Sequence, residues 1–498
     1  MDGELTALVK LAILRPIEHA SRHPFRRIHR EPSIAMKFLI FAALIAASGL
    51  AASPPNVLII VLDDQNGYAG RTDIAPVPVT PNLDKLSRRG VSFLAAQCAA
   101  PVCNPSRTAV FSGLRPSTSG IYSDDQDRTP ADHILTRTTS LPNYFHEQGY
   151  HTAGSGKLFG SSFGSVLKHH AWDETREFGG KGRLEDPRPP KDQLPLSGMK
   201  GKHDWGAYPA SRDDMGDWQI AGWAADFLAK PQSKPFFLAC GIVKPHTPWY
   251  VPKPYFDLFP PDKINVPDLA EDEGAGVPAV VQVKPKQIKQ AAELVARRKE
   301  LIAAYLACSR YADDCVGRIL DALERSAYRD NTIVVIFGDN GYQFGEKHYW
   351  SKSRLWEGSA HIPLVMAGPG IERGKVCTQP VSLIDLYPTL IDLAQLPAKP
   401  GLDGISLTPL LKNPAAAWNR PALTTSGFKN QALRTERWRY IRYADGSEEL
   451  YDHQTDPLEQ KNIASDATNA KVIADLQKWL PAKDAPKYPS GDGKEADP

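Results

Sequence analysis

Three long runs of apolar, mostly β-branched or aromatic residues interrupt an otherwise mixed pattern, and each stops abruptly at polar residues. Asn56-Val57-Leu58-Ile59-Ile60-Val61-Leu62 gives way to Asp63-Asp64, Thr332-Ile333-Val334-Val335-Ile336-Phe337 to Gly338-Asp339-Asn340-Gly341, and Pro235-Phe236-Phe237-Leu238-Ala239-Cys240-Gly241-Ile242-Val243 to Lys244-Pro245-His246-Thr247-Pro248. A shorter run, Tyr150-His151-Thr152-Ala153, leads into Gly154-Ser155-Gly156-Lys157. Runs without polar alternation predict strands covered on both faces, as in a parallel sheet. Apolar positions Leu301, Ile302, Tyr305, Leu306, Val316, Ile319, Leu320 and Leu323 recur at helical spacing and predict a helix over 299–325 that covers the sheet. His361-Ile362-Pro363-Leu364-Val365-Met366 predicts a further strand, and 383–393 a helix interrupted at Pro388. Beyond Gly401, Arg437-Trp438-Arg439-Tyr440-Ile441-Arg442-Tyr443 turns at Ala444-Asp445-Gly446 toward Glu449-Leu450-Tyr451, a hairpin signal. The pattern therefore predicts an α/β protein: a large, mixed, mostly parallel sheet flanked by helices, with a small C-terminal antiparallel α+β subdomain.

The polar residues at the strand ends carry the candidate chemistry. Ligand sites in open α/β sheets collect beyond the carboxyl ends of the strands, so both acidic pairs can face one crevice. Asp63, Asp64, Asp339 and Asn340 offer only oxygen donors, the set preferred by a hard cation such as Ca²⁺ or Mg²⁺. Taken singly, each pair is also an ordinary polar turn. Lys157 and His246, at the other two strand ends, add a positive lining beside them.

The segment Cys103-Asn104-Pro105-Ser106-Arg107 adds a possible nucleophile. Pro105 suits the first turn of a helix, which can continue from Ser106 through Leu114 to a glycine-containing end. Cys103 then stands at a helix N-terminus, where backbone N–H groups favour an anion, and Arg107 adds a fixed charge one turn in.

The spacing Cys-x-Pro-x-Arg, running on to Gly113 and Arg115-Pro116, resembles the signature of the sulfatases, whose cysteine is oxidised to formylglycine, an aldehyde that acts as its hydrate. The likeness extends from about Asn56 to about Ser465. It implies an alkaline-phosphatase-like fold and one Ca²⁺ held by Asp63, Asp64, Asp339, Asn340 and the modified Cys103. It also implies that Arg107 steadies the formylglycine, and that Lys157, His246 and Lys352 of Tyr349-Trp350-Ser351-Lys352 hold sulfate and assist the leaving group. Lys244-Pro245-His246, Gly345-Glu346-Lys347-His348-Tyr349-Trp350 and Glu449-Leu450-Tyr451-Asp452 are most similar to iduronate-2-sulfatase-like members.

Two departures stand out. Members of the family commonly have a histidine two or three residues after the lysine of the Gly-Lys motif, but here Lys157 is followed by Leu158-Phe159-Gly160. His169 and His170 are the downstream candidates to replace it. Asn340 stands where some iduronate-type enzymes have histidine. Lys244, Trp249, Tyr250, Lys347 and His348 are placed either to meet a sulfated, carboxylated sugar or simply to pack loops.

Composition adds a compartment and removes some partners. The chain has 498 residues, with 42% hydrophobic and 23% charged, enough for one large domain and a smaller one. Met36-Lys37 followed by an apolar stretch to Ala47, with Gly49 and Ala51 before Ala52, reads as a signal peptide too short for a stable membrane span. The predicted organisation is an over-extended start at 1–35, a signal peptide at 36–51, a catalytic domain at 52–400, a C-terminal subdomain at 401–480 and a disordered tail at 481–498. The first 35 residues hold six Lys/Arg and four Asp/Glu, so their loss removes the formal +2 and argues against a nucleic-acid partner. Six cysteines without a Cys-x-x-Cys pair read as mostly buried thiols. The Pro-rich stretches 184–203 and 248–290 are expected as long loops that shape the substrate mouth.

The expected function is a secreted or periplasmic Ca²⁺-dependent sulfatase acting on sulfated carbohydrate, with a formylglycine-generating enzyme as its maturation partner. A phosphomonoesterase or phosphodiesterase of the same fold, and a non-catalytic secreted glycan-binding protein, are the competing readings.

Overall fold

The computed structural model describes residues 53–67, 74–126, 134–135, 137–160, 172–176, 186–199, 203–266, 269, 274 and 276–489. The leader segments 1–35 and 36–51, His169-His170 and residues 490–498 lie outside the described residues.

The apolar runs form the middle of an eight-stranded sheet. Its strands are β1 (Asn56–Leu62), β2 (Gly90–Phe93), β3 (His151–Gly156), β4 (Glu174–Arg176), β5 (Phe236–Ile242), β6 (Thr332–Gly338), β7 (Leu364–Ala367) and β8 (Lys375–Cys377). Their order is β8-β2-β7-β6-β1-β5-β3-β4. Only β7 runs against its neighbours, so the sheet is mixed but mostly parallel.

β1 is buried along its length because it lies between β5 and β6 with a helical layer on each face. Val57, Ile59 and Val61 face one layer, packing in a cluster that includes Val110 and Phe111 of α1 (Cys103–Ser112). Leu58, Ile60 and Leu62 face α2 (Gly216–Ala229) and α3 (Arg298–Arg325). Alternation of side chains along a strand thus builds two cores from one continuous apolar run.

Register aligns the ends. Leu62 is level with both Ile242 and Gly338, and Gly156 with Gly241. The residues that follow, Asp63, Asp339 and Val243, therefore leave the sheet at one height, with Lys157 one residue earlier. At Gly241 the backbones come so close that an added Cβ would lie 1.9 Å from the Lys157 carbonyl oxygen.

Several sequence expectations shift. β3 runs on through Gly154-Ser155-Gly156, because pairing with β5 satisfies backbone groups that the glycines would leave loose in isolation. β7 begins only at Leu364, after Pro363, which has no N–H to donate. Pro388 does not interrupt its helix, Leu386–Leu393, since it falls in the first turn, where no donor is needed. The expected long loops contain structure: within 248–290, Trp249–Val251 pairs with Trp205–Ala207 and Lys253–Asp257 is helical, and within 184–203 Lys191–Gln193 forms a short 3-10 helix. All six cysteines are buried and unpaired.

The C-terminal part is a four-stranded antiparallel meander of β9 (Ala422–Thr425), β10 (Gln431–Arg434), β11 (Trp438–Arg442) and β12 (Glu448–Asp452). Ile473 and Leu476 of α4 (Ala470–Gln477) pack on Leu423, Leu433, Tyr440 and Leu450. Part of the segment expected as a disordered tail is bonded back to the chain: Ala485 N–H donates to Ser117 O at 2.7 Å and Tyr488 N–H to Gly120 O at 2.9 Å. No helix among the described residues is long and apolar enough to cross a membrane.

The close approach at Gly241 makes a stability prediction. Gly241→Ala should force β3 from β5 and destabilise the protein by about 1–3 kcal/mol. Thermal denaturation measures it, and an unchanged transition would show that the two strands are not locked there.

Candidate active site

Asp63 and Asp64 follow β1, and Asp339 and Asn340 follow β6, so the sheet register alone brings them together. One carboxylate oxygen from each of the three aspartates lies within 4.8 Å of the others, and all three residues are buried. Asp64 reaches the site through a left-handed backbone, φ 62°. The backbone N–H groups of Asp64 and Asn340 both donate to Asp339 Oδ1 at 2.9 Å. Tyr305, from the apolar face of α3, closes the turn: its hydroxyl donates to Asp64 O at 2.8 Å and accepts from Asn66 N–H at 2.8 Å.

Cys103 opens α1 directly beside these carboxylates. Its Sγ is 3.3 Å from Asp63 Oδ1, 3.6 Å from Lys157 Nζ and 2.8 Å from Lys352 Nζ. The helix start is fixed by Asp124 Oδ1, which accepts the Asn104 N–H at 3.0 Å, and by Ser106 Oγ, which donates to Asp339 O at 2.6 Å.

The cations come from four separate segments. Arg107, one turn into α1 and fully buried, donates through Nε to Asp339 Oδ2 at 2.7 Å, through one terminal nitrogen to Asp63 Oδ1 at 3.2 Å, and through the other to the Lys157 carbonyl. Lys157 pairs with Asp63 Oδ2, and Lys352 with Asp64 Oδ1 at 2.6 Å. His246 places Nε2 3.8 Å from Asp64 Oδ2, while Nδ1 lies 2.6 Å from Thr247 O and so carries the proton as a donor.

The electrostatics follow from this crowding. Burial pushes the Asp63 carboxyl up, but Lys157, His246, Arg107 and Lys352 together outweigh it and hold the group well below the usual carboxylate range. Asp64 is likewise lowered, against its burial, by Lys352 and His246. Asp339 goes the other way, to about 6, because burial and its two acidic neighbours exceed the pull of Arg107. Burial, reinforced by Asp63, pushes the Cys103 thiol well up despite Lys157 and Lys352.

All nine predicted site residues, Asp63, Asp64, Cys103, Arg107, Lys157, His246, Asp339, Asn340 and Lys352, thus converge. The five proposed sugar contacts fare differently. Lys244 is buried against Asp186 at 3.2 Å, Trp249 donates to Pro245 O at 2.8 Å, Tyr250 bonds Asp204, and Lys347 bonds Glu459 O. These four pack loops; His348 is half-buried. Sequence reasoning missed Tyr305, which looks like core on α3, and Asp217 in the first turn of α2. The Asp217 carboxylate accepts Val243 N–H at 2.7 Å and Lys244 N–H at 2.8 Å and so holds the turn that delivers His246. Its only sequence signal is an acid at a helix start.

The donor set also suits a hard cation on this structure's own terms. Beside the three carboxylates, Asn340 Oδ1 is buried without a hydrogen-bond partner, an oxygen that a cation would satisfy.

A mixed, mostly parallel sheet flanked by helices, with acids and bases gathered past its strand ends, is the α/β architecture expected of the alkaline-phosphatase-like fold. Residues 55–396 match the Sulfatase family, and residues 345–485 match the C-terminal region of N-sulphoglucosamine sulphohydrolase. The chain belongs to the sulfatase family and is a sulfuric ester hydrolase. It is 37% identical over 455 residues to a sulfatase of Formosa agariphila, covering 86% of this chain and 87% of that protein. It is 25% identical over 442 residues to the ulvan-active sulfatase of the same organism, covering 82% of this chain and 77% of the relative. Among solved structures, a phosphonate monoester hydrolase of Agrobacterium radiobacter shares the fold with a TM-score of 0.67 at 21% identity, over 85% of this chain and 94% of that one.

Arg107 gives a sharp test of the site's charge balance. Arg107→Met strands two buried carboxylates and should cost about 3–5 kcal/mol. Arg107→Lys keeps the charge but cannot span both carboxylates and the Lys157 carbonyl, so it should recover only part of that in urea denaturation. Full recovery by Lys would show that charge alone, without the fork geometry, is what the site needs.

Proposed function

We propose that this chain is an exported, Ca²⁺-dependent sulfatase of sulfated, uronate-containing polysaccharides or oligosaccharides, with formylglycine made from Cys103 as its nucleophile. The observation that carries this reading is the position of Cys103: a helix N-terminus flanked by Lys157 and Lys352 and touching Asp63. Two ammonium groups and a helix start converge on Cys103, with Arg107 one turn further in, a set of charges suited to a tetrahedral anion.

Asp63, Asp64, Asp339 and Asn340 would hold the cation, which supplies Lewis acidity toward a sulfate oxygen and the nucleophile. Formylglycine would supply a geminal hydroxyl, so that the sulfated enzyme can release sulfate without attack by water. Lys157 and Lys352 neutralise charge on the non-bridging oxygens, and Arg107 keeps the two strand-end carboxylates apart and oriented. His246 serves the bridging oxygen as the alcohol leaves, and its Nε2 must bear a proton to do so. Asp63, Asp64, Lys157 and Lys352 contact Cys103 directly, and His246 brings a ring nitrogen within 4.8 Å of its Sγ, so His246 is the imidazole available there in place of the missing histidine after Lys157.

The polysaccharide substrate class is supported by the ulvan-active relative. The C-terminal match to N-sulphoglucosamine sulphohydrolase fits a sulfated amino sugar, while the uronate rests on the iduronate-type resemblance of the sequence. The expected signal segment supports export.

Three outcomes test the proposal. Protein from a host with the maturation enzyme should show formylglycine at position 103 by peptide mass spectrometry and should hydrolyse sulfate esters in preference to the matching phosphate esters; fully active protein with unmodified cysteine overturns the mechanism. Asp63→Ala and Asn340→Ala should each weaken Ca²⁺ binding in calorimetry and reduce turnover by at least about a hundredfold; unchanged activity in both variants and in a chelator removes the metal. Cys103→Ser keeps a hydroxyl but has no geminal partner to expel sulfate. It should release at most one equivalent of alcohol and stall as a serine sulfate, whereas sustained turnover would point to hydrolysis by water.

A further inference from the structure

Lys352 owes its place to a hairpin that is tied down on the far side from Cys103. Gln343 and Phe344 pair with Ser351 and Trp350, and the connecting residues include two consecutive non-glycine residues in the left-handed region, Lys347 at φ 54° and His348 at φ 58°. Each such residue costs about 1–2 kcal/mol, so the loop conformation persists only where contacts overdetermine it.

Lys347 supplies those contacts. It is buried, its ammonium bonds Glu459 O, and it lies 5.3 Å and 5.0 Å from the ring centres of Trp356 and Tyr451. Glu459 is itself held at both carboxylate oxygens: Arg439 and His453 engage one, and the other accepts Glu357 N–H at 2.8 Å. Glu357, His453 and Glu459 lie close enough to hold a metal, but Arg439 pairs with both carboxylates, so a guanidinium already fills that role. From the loop, the path runs inward. Gly345 N–H donates to Tyr349 O at 3.0 Å, the Tyr349 hydroxyl donates to Lys352 O at 2.7 Å, and Ser353 N–H donates to Pro101 O at 2.8 Å, two residues before Cys103.

We propose that Lys347 is a positioning residue through which the C-terminal subdomain sets Lys352 against the sulfate pocket, an inference that rests on the sulfate-binding role given to Lys352 above. Lys347 touches no substrate. It fixes the loop whose other end carries the ammonium that meets Cys103 and Asp64.

The test is a double-mutant cycle read in two ways, on the matured full-length protein. Inorganic sulfate binding is measured by calorimetry, which needs no turnover, and kcat and KM are measured on an aryl sulfate. Lys347→Met removes the donor and keeps the bulk, Lys347→Gly removes the anchor at a φ that glycine accepts, and Lys347→Arg keeps charge and donor. The Met and Gly variants should weaken sulfate binding and lower kcat about ten- to a hundredfold, with Arg restoring most of both. In a Lys352→Ala background, Lys347→Met should change sulfate affinity less than about twofold, because the two residues act as one unit. An equal loss in both backgrounds, or wild-type sulfate affinity in the Met and Gly variants, overturns the inference while leaving the sulfatase reading intact. Wild-type protein that neither binds sulfate nor cleaves sulfate esters overturns both.

Discussion

Three carboxylates meet inside this protein at the ends of two adjacent strands, and the charge they bring must be balanced without water. An uncompensated buried carboxylate costs several kcal/mol, and three so close together raise one another's proton affinity. The structure answers with Arg107, Lys157 and Lys352, each in direct contact with at least one of the acids, and with His246 nearby. These partners lie on α1, after β3, after β5 and in the hairpin beyond β6. Satisfying the acids therefore requires nearly the whole chain to be in register, and the long-range order of the fold is written into the balance of one small site.

That balance also sets what the site can accept. Three carboxylates against three permanent cations leave it near neutral, with every group already engaged. A divalent cation entering among the oxygens would release the ammonium groups of Lys157 and Lys352 from carboxylates to an arriving anion. Cation and sulfate then fit as complementary partners, each removing the excess charge that the other introduces. Asn340 Oδ1, buried without a hydrogen-bond partner among the described residues, is an oxygen of the set that such a cation would satisfy.

How much of this was legible in the sequence depended on whether the signal was local. β1, β5 and β6 were plain because burial on both faces demands unbroken apolar runs, and their abrupt polar ends pointed to Asp63, His246 and Asp339. α1 was legible from Pro105 and Gly113, a start and a stop with clear backbone reasons. β3 was cut short because Gly154 and Gly156 disfavour a strand until β5 is there to pair with them. Tyr305 was invisible because a residue on an apolar helical stripe looks like core, and only its hydroxyl gives away its role. Lys244 and Lys347 stayed open between sugar contact and loop packing, because nothing in their neighbours along the chain reveals Asp186 or Glu459.

Cys103 stands in surroundings that work against the reactive form of a thiol. A helix N-terminus with two ammonium groups would ordinarily favour thiolate, the reactive form of cysteine. Here burial and Asp63 prevail and keep the thiol protonated. The same acids that suit the site to a hard cation make it hostile to a soft anion. A neutral oxygen nucleophile suffers neither penalty: it can ligate the cation, give up its proton as it attacks, and share the lysines with the sulfate it engages. Conversion of Cys103 to an aldehyde hydrate would resolve the mismatch between this residue and its surroundings, and the mismatch is visible in the unmodified chain.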